Sequence, residues 1–189
     1  MAAKGSLTVI TGPMFSNKSG ELLRLATVHR IAGRQVALFK HSLDDRYQGA
    51  EQISTHGGQS MEAEPVSTAV EIRLLAAGAD VVAIDEAQFF DDGLVHVCAQ
   101  LIDEGTTVFA AGLDRDFRGL PFGPMPGLMA ISDDIMKLKA VCMKCRSLNG
   151  TMTQRLIDGR PPSRRDPQIM VGAAESYEAR CRECHELSD

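Results

Sequence analysis

A loop with a glycine, a lysine and a serine follows the first apolar run of the sequence. It comes after the segment Leu7–Thr11, opens a helical pattern, and reads Gly12, Pro13, Met14, Phe15, Ser16, Asn17, Lys18 and Ser19. Backbone N–H groups in such a loop point at phosphate oxygens, the lysine bridges the outer phosphates, and the serine hydroxyl can ligate Mg²⁺. The spacing therefore predicts a P-loop that binds a triphosphate.

The P-loop match is imperfect, because glycine is usual at the position that Asn17 occupies. Asparagine is the residue other than glycine that best tolerates a left-handed backbone. We therefore expect the turn to form, with the Asn17 side chain close to the phosphates. The alternative is an ordinary tight turn between strand and helix, with an exposed lysine.

Two acids end an apolar run further along the chain. Asp85 and Glu86 follow Val81–Ile84, and a second acid at a strand end is what a P-loop site requires. We expect Asp85 to hold Mg²⁺, directly or through water. Because neighbouring residues at a strand end face different ways, Glu86 is left available as a general base. The alternative interpretation of these acids is a helix N-terminus, whose dipole favours acidic residues, and this alternative also accounts for the nearby Asp91-Asp92 pair.

Four of the five cysteines form two Cys-x-x-Cys pairs, at Cys142 and Cys145 and at Cys181 and Cys184. Two such turns bring four thiolates to one tetrahedral Zn²⁺, and a closed site of this kind is structural. The zinc would clip the ends of the long segment between the pairs. A redox pair is the rival interpretation, and His185 is an alternative ligand to Cys184.

Alternating apolar and helical segments position these residues in an α/β fold with a parallel sheet. Strands are predicted at Leu7–Thr11, Gln35–Lys40, Val81–Ile84 and Thr107–Gly112, and helices at Lys18–Ile31, Thr68–Ala77 and Gly93–Glu104. Each strand is apolar enough to be buried on both faces. Leu43–Glu64 is polar and predicts a loop.

A compositional change near residue 140 divides the chain into two predicted domains. Residues 1–140 carry the P-loop pattern, and residues 141–189 form a small, loop-rich zinc domain. The formal net charge of −5 argues against a nucleic acid polymer as partner. The sequence contains no bilayer-length apolar segment and no export signal, which favours a cytoplasmic protein.

The motifs, taken in order, resemble the thymidine kinase family of the P-loop, zinc-containing type over nearly the whole chain. The motifs are GPMFSNKS at 12–19, DEAQFF at 85–90, D-x-x-F-R-G at 114–119, T-Q-R-L at 153–156 and VGAAESYEARC at 171–181. The resemblance implies a P-loop NTPase-like parallel sheet with helices on both faces. It also implies a zinc-clipped lasso between Cys145 and Cys181 that closes over the nucleoside.

The resemblance also implies a role for individual residues. Glu86 matches the catalytic base, Lys18 and Ser19 the phosphate and Mg²⁺ residues, and Arg46 and Gln88 positions beside the nucleotide. Residues that match the walls and lasso contacts of the nucleoside are Met14, Phe89, Leu113, Phe117, Phe122, Thr153, Gln168, Ile169, Met170, Val171, Gly172 and Tyr177. From the sequence alone, ordinary core packing is the favoured explanation of Phe89, Phe117 and Phe122.

The expected activity is transfer of the γ-phosphate of ATP to deoxythymidine, with Mg²⁺ and a structural Zn²⁺. Family members are similar in forming homotetramers and in being inhibited by the end product dTTP. Two rivals remain open at this point: a P-loop ATPase whose zinc ribbon binds nucleic acid, and a nucleotide-binding regulator without catalysis.

Overall fold

A parallel sheet forms the centre of the molecule. In a computed structural model, the chain is described over residues 4–43, 52–54, 60–169 and 175–189. The strands are β1 (Ser6–Thr11), β2 (Val36–His41), β3 (Gln52–Ser54), β4 (Ser60–Glu62), β5 (Glu64–Val66), β6 (Val81–Asp85), β7 (Thr107–Gly112), β8 (Asp134–Lys137), β9 (Met152–Ile157) and β10 (Glu175–Arg180). The helices are α1 (Lys18–Ile31), α2 (Ala69–Leu75), α3 (Gly93–Asp103) and α4 (Met125–Ile131).

Six of the strands within the described residues form this sheet, in the order β5-β2-β6-β7-β1-β8. Every neighbouring pair in it is parallel. Helix α1 packs on one face, and α2, α3 and α4 pack on the other. Strand β6 is buried along its whole length because helices cover both faces. The predicted α/β class, with a parallel sheet and helices on both faces, is confirmed.

The predicted strands and helices of the first 112 residues lie within about two residues of the observed ones. Helix α1 ends as expected, with Gly33 at a φ of 79°. Helix α2 begins one residue later than predicted, because Thr68 serves as its N-cap and forms a capping box with Glu71. Cys98 lies on α3 in the core, where it is fully buried.

The prediction of a loop over Leu43–Glu64 is wrong in part. Strand β3 pairs with β4 in antiparallel fashion, and β5 begins at Glu64. These strands are three residues long, too short for alternation of apolar and polar residues to show in the sequence. Segments 44–51 and 55–59 lie outside the described residues.

The C-terminal part contains an antiparallel hairpin of β9 and β10, with Met152 opposite Arg180. Strand β9 is almost wholly buried although it carries Thr153, Gln154 and Arg155. Among the described residues, no helix has the length and apolar character needed to cross a bilayer.

Candidate active site and metal centre

The loop after β1 adopts the conformation predicted for a P-loop. Asn17 has a φ of 64° and a ψ of 34°, which is the left-handed conformation, and it begins helix α1. Its side chain lies over the first turn of that helix, since a Cβ atom on Gly20 would be 2.2 Å from Asn17 Oδ1. The asparagine therefore fits the turn because the helix has a glycine beneath it.

Lys18 is buried within this loop, with 8 % of its surface exposed. Its Nζ donates a hydrogen bond to the Pro13 carbonyl at 3.0 Å, and the Ser16 hydroxyl donates to the same carbonyl at 2.8 Å. The alternative of a tight turn with an exposed lysine is therefore wrong. The ammonium group of Lys18 therefore lies against the backbone of the loop itself.

Asp85 lies beside the P-loop, as the sequence predicts. It is buried at the end of β6, accepts a hydrogen bond from the Ser19 side chain and is close enough to Lys18 for their charges to interact. Burial raises the pKa of Asp85, and the neighbouring Glu86 charge raises it further, to about 7. A divalent cation at this carboxylate and the Ser19 hydroxyl would relieve that cost, so the residues fit Mg²⁺.

Glu86 turns away from the strand in a left-handed conformation, with a φ of 53°. This conformation is unusual for a residue with a long side chain, and such residues are held in place by their surroundings. The Gln88 side chain, which is 2 % exposed, donates a hydrogen bond to the Glu86 carboxylate. Glu86 itself is half-buried, so its carboxylate remains accessible to a ligand.

Aromatic side chains pack against one another just after Glu86 in the chain. The Phe89 and Phe122 rings meet edge to face, with centroids 5.7 Å apart and planes at 87°. The buried His41 ring packs edge to face on Phe90 at 4.6 Å and lies 6.0 Å from Phe89. Burial lowers the pKa of His41, and the carboxylates around it, Glu86 among them, act in the opposite direction.

The turn between Asp114 and Gly119 places Phe117 in the core and is organised by a buried carboxylate. Asp116 pairs with Arg118 at 2.6 Å and accepts the backbone N–H of Leu120 at 3.1 Å. The same carboxylate accepts a hydrogen bond of 3.0 Å from the Gln168 amide. The turn is thereby tied to the predicted lasso.

Arg155 is a residue that the sequence analysis did not single out, although it lies within the T-Q-R-L motif. Its guanidinium is buried, with 2 % of the residue exposed, and lies 4.1 Å above the Phe117 ring. It donates hydrogen bonds to the Tyr177 hydroxyl at 3.2 Å and to the carbonyls of Pro167 and Gln168 at 2.7 and 2.6 Å. The available signal was a charged residue in the middle of a short strand pattern.

A direct contact joins the P-loop to the C-terminal hairpin. The Met14 backbone N–H donates to the Thr153 hydroxyl at 3.1 Å. Thr153, predicted as a lasso contact, therefore lies beside Met14, predicted as a wall of the nucleoside site. The structure thus brings these two predicted residues together.

The predicted cysteines form one cluster whose geometry fits a tetrahedral metal. The ligand atoms of Cys142, Cys145, Cys181 and Cys184 all lie within 4.8 Å of one another. The Sγ atoms of Cys145 and Cys181 are 3.8 Å apart, and Zn–S bonds of about 2.3 Å give sulfur–sulfur edges of about 3.8 Å. The cluster is therefore positioned to bind a metal ion such as Zn²⁺.

Hydrogen bonding shifts the pKa values of Cys142 and Cys184 in opposite directions. Burial acts to raise the pKa of Cys142, but backbone N–H groups of Cys145 and Cys181 donate to its sulfur and bring the pKa down to about 6. The hydrogen bond with Cys181 raises the pKa of Cys184 to about 12. Without a metal the sulfurs therefore share protons, and a divalent ion would replace them.

His185, considered as an alternative ligand, instead faces away from the sulfurs. Its Nε2 lies 2.8 Å from the Phe117 carbonyl, and it is outside the cysteine cluster. Burial lowers the pKa of His185, which favours the neutral ring. His185 thus joins the turn Cys181–Cys184, called the metal turn below, to the backbone at Phe117.

The remaining predicted site residues are Leu113 and Ile169, which the structure describes, and four residues that lie outside the described ranges. Leu113 is buried and donates its backbone N–H to Gln88 at 3.0 Å, and Ile169 is 41 % exposed. Arg46, Met170, Val171 and Gly172 fall outside the described residues, so their predicted roles stay predictions.

A parallel sheet with a lysine-bearing loop after β1 and a buried acid at the end of β6 has the architecture of the P-loop class of nucleotide-binding folds. The family model for thymidine kinase matches residues 5–185. Because that match spans nearly the whole chain, the protein belongs to the thymidine kinase family and is a kinase enzyme. The resemblance in the sequence motifs is confirmed.

Proposed function

We propose that the enzyme transfers the γ-phosphate of ATP to the 5′-hydroxyl of deoxythymidine in nucleotide salvage. The observation that carries this proposal is the convergence of Lys18, Ser19 and Asp85 at one edge of the sheet, with Glu86 next in the chain. A phosphate site, a buried acid and an accessible carboxylate are the parts that phosphoryl transfer to a hydroxyl requires.

The P-loop would hold the triphosphate through its backbone N–H groups and the Lys18 ammonium. Glu86 accepts the proton of the 5′-hydroxyl while that oxygen attacks the γ-phosphorus, and the bond to the β–γ bridging oxygen breaks to release ADP. Arg46 and Gln88 are proposed to lie on the phosphate side, as the family resemblance implies. Positioning and charge stabilisation supply most of the catalysis, since the transferred group needs little covalent assistance.

Ser19 and Asp85 are the residues that would hold Mg²⁺, which neutralises charge on the triphosphate when bound. The Ser19–Asp85 hydrogen bond supports this assignment, because both oxygens already face one point. The four cysteines would hold a structural Zn²⁺ that closes the ends of the lasso.

The thymine base is proposed to lie between four apolar side chains, those of Phe89, Leu113, Phe117 and Phe122. Met14 and Thr153, which are hydrogen-bonded to each other, are proposed to line the site as well. A flat, uncharged base needs apolar walls and a few backbone hydrogen bonds, which agrees with the acidic net charge of the chain. The lasso residues Gln168–Gly172 and Tyr177 would cover the base. The Asp116–Gln168 and Arg155–Gln168 contacts support this, because they anchor the segment next to Phe117.

Residues 1–140 and 141–189 are proposed to act as a nucleotide domain and a zinc-binding lasso domain. A homotetramer, feedback inhibition by dTTP and a cytoplasmic location are carried over from the family as proposals.

Product analysis with labelled nucleosides tests the proposed function. With ATP and Mg²⁺, we expect labelled deoxythymidine monophosphate and an equal amount of ADP, with deoxyuridine, deoxycytidine and deoxyguanosine as comparison substrates. Release of phosphate that DNA or RNA stimulates, without any labelled monophosphate, would instead indicate an ATPase. Binding of ATP without transfer to any nucleoside would indicate a regulator.

A further inference from the structure

Gln88 occupies an unusual place next to the proposed catalytic base. It follows Glu86 by two residues, within the short 3-10 turn Ala87–Phe89 that ends β6. The side chain is almost wholly buried, with 2 % of the residue exposed. A buried amide has donors and an acceptor that must be satisfied, and here both ends of the amide have partners in the chain.

The two partners fix the orientation of the amide. The backbone N–H of Leu113 donates to Gln88 Oε1 at 3.0 Å, which requires the oxygen to face β7. The nitrogen therefore faces the other way, where it donates to the Glu86 carboxylate. A carboxylate accepts but does not donate, so each partner independently requires the same orientation of the amide.

The chain leaves room for the Gln88 side chain and for its backbone by having a glycine beside each. A Cβ atom on Gly112 would lie 2.8 Å from Gln88 Oε1, and one on Gly123 would lie 2.2 Å from the Gln88 carbonyl oxygen. Gly123 also has a φ of 49°, in the left-handed region that favours glycine. Gln88 is therefore enclosed by backbone and cannot shift without moving the end of β7.

Glu86 needs such support, because its left-handed backbone does not fix where its carboxylate points. The charge of Glu86 acts on both the neighbouring Asp85 carboxylate and the His41 ring, so both groups are near enough to influence where its side chain lies. A hydrogen bond from a rigid amide selects one direction. The same amide is bonded to Leu113, one of the proposed walls of the nucleoside site.

We propose that Gln88 is a positioning residue, which orients the Glu86 carboxylate toward the hydroxyl of the nucleoside and couples it to the end of β7. This inference rests on the proposed role of Glu86 as the base. It differs from the family-based expectation for Gln88, which places the residue beside the nucleotide.

A double-mutant cycle tests this inference, using Gln88→Glu, Glu86→Gln and the combination of both. Gln88→Glu keeps an oxygen for the Leu113 N–H but replaces the donor to Glu86 with a repelling carboxylate. We expect kcat to fall by about 10²-fold, as misplacement of a reacting group by about 1 Å does, with both KM values within about threefold of the wild type. Gln100→Glu, the same change on the exposed side of α3, is the matched control and should leave kcat unchanged.

The double variant separates positioning from a general structural defect. If Gln88 acts through Glu86, the second substitution changes kcat by less than about threefold in the Glu86→Gln background, because the base is already lost. The exchange also restores an amide–carboxylate pair, so Tm should recover most of the loss seen in Gln88→Glu. A full 10²-fold loss in both backgrounds, or an unchanged kcat in Gln88→Glu, would overturn the proposal.

The Tm measurements of the double-mutant cycle do not require an active enzyme, so they test the Gln88–Glu86 contact independently of the proposed function. If the wild-type chain fails to phosphorylate any nucleoside, the proposed function is overturned, and additive Tm changes would overturn the Gln88 contact as well. If Gln88→Glu proves too unstable to purify, Gln88→Met is the second variant, and its effect on kcat is compared in the same two backgrounds.

Discussion

The proposed phosphate side of the site, around Lys18 and Asp85, and the proposed nucleoside side, around Phe117, are built in different ways. Lys18 and Ser19 lie at the start of α1 and Asp85 lies at the end of β6, so all three belong to the central sheet and a helix packed on it. Phe117, in contrast, contacts Arg155 and His185, which both belong to the C-terminal part of the chain. The C-terminal hairpin touches the phosphate side through the Met14–Thr153 hydrogen bond, whereas the contacts of Phe117 depend on both the hairpin and the Cys181–Cys184 turn.

The largest effect should come from the carboxylate between the two sides. Glu86→Gln is expected to lower kcat by ~10²–10⁴-fold, the loss typical of removing a general base, with a modest change in ATP affinity. Steady-state kinetics and calorimetric titration with a non-hydrolysable ATP analogue measure the two quantities. Glu104→Gln, an exposed change at the end of α3, is the control. An unchanged kcat would remove Glu86 from the mechanism.

Metal removal should separate the two sides. A chelator, or Cys184→Ser, is expected to lower kcat/KM for thymidine by ~10–100-fold, because the hairpin that positions Phe117 loosens. Affinity for the ATP analogue should change by less than about threefold, since the P-loop belongs to the sheet. Equal losses for both ligands would contradict the comparison. Metal content, measured by elemental analysis, should be one zinc per chain before treatment.

Acid should release the same metal, because the cysteines bind it as thiolates. The pKa of Cys142 is about 6, so its sulfur takes up a proton as pH falls through that value. We expect zinc affinity to fall throughout the range from pH 8 to pH 5, because the pKa of Cys184 is about 12, and most steeply below about pH 6, where Cys142 also takes up a proton. A competing chromogenic chelator measures this affinity. A pH-independent affinity between pH 5 and 8 would count against a thiolate site.

Arg155→Lys should affect the nucleoside side more selectively. Lysine keeps the charge but loses the planar fork that bonds Pro167 and Gln168 and lies over Phe117. KM for thymidine should rise on the order of tenfold, with KM for ATP nearly constant. Arg160→Lys, at an exposed position of the same domain, is the control. A parallel rise in both KM values would indicate that the hairpin also supports the P-loop.

The smallest effect is expected on stability at the phosphate side. The pKa of Asp85 is about 7 in the folded chain, against an ordinary value of 3.8, so the unfolded chain ionises first and the ligand-free fold loses stability as pH rises from about 4 to about 7. Asp85→Asn should therefore raise Tm by roughly 4 °C at pH 8, with the gain gone below about pH 4. Thermal unfolding with the exposed Asp92→Asn as control measures this. A lower Tm than wild type at pH 8 would contradict the buried-charge account.

The same contrast explains what the sequence could predict. The P-loop and the acid after β6 are contiguous motifs, and the parallel sheet follows from apolar periodicity. Helix α4 was missed because Pro126 and Gly127 lie within it, and β8 because its four residues are largely exposed at a sheet edge. In both elements the pattern of apolar residues is weak in the sequence, although α4 packs on the core and β8 pairs with β1 in the structure.

The contacts of Phe117 could not be predicted for a different reason. The sequence places Arg155 in a family motif, but nothing local indicates that its guanidinium lies over an aromatic ring 38 positions earlier. The Asp116–Gln168 bond is equally long in range. Such pairs depend on how the hairpin packs on the sheet. Nothing local in the sequence indicates that Gly112 and Gly123 lie against Gln88, because both are more than 20 positions away.

The burial of Cys98 has a practical consequence for following the metal turn. Burial raises the pKa of this thiol to about 12, so it is both shielded and almost wholly un-ionised at neutral pH. A coloured disulfide reagent added to the native enzyme should therefore ignore Cys98. The absorbance that appears after chelation then measures only the cysteines released from the metal. Because Cys98 contributes no signal, the assay reports directly how much of the metal site is filled.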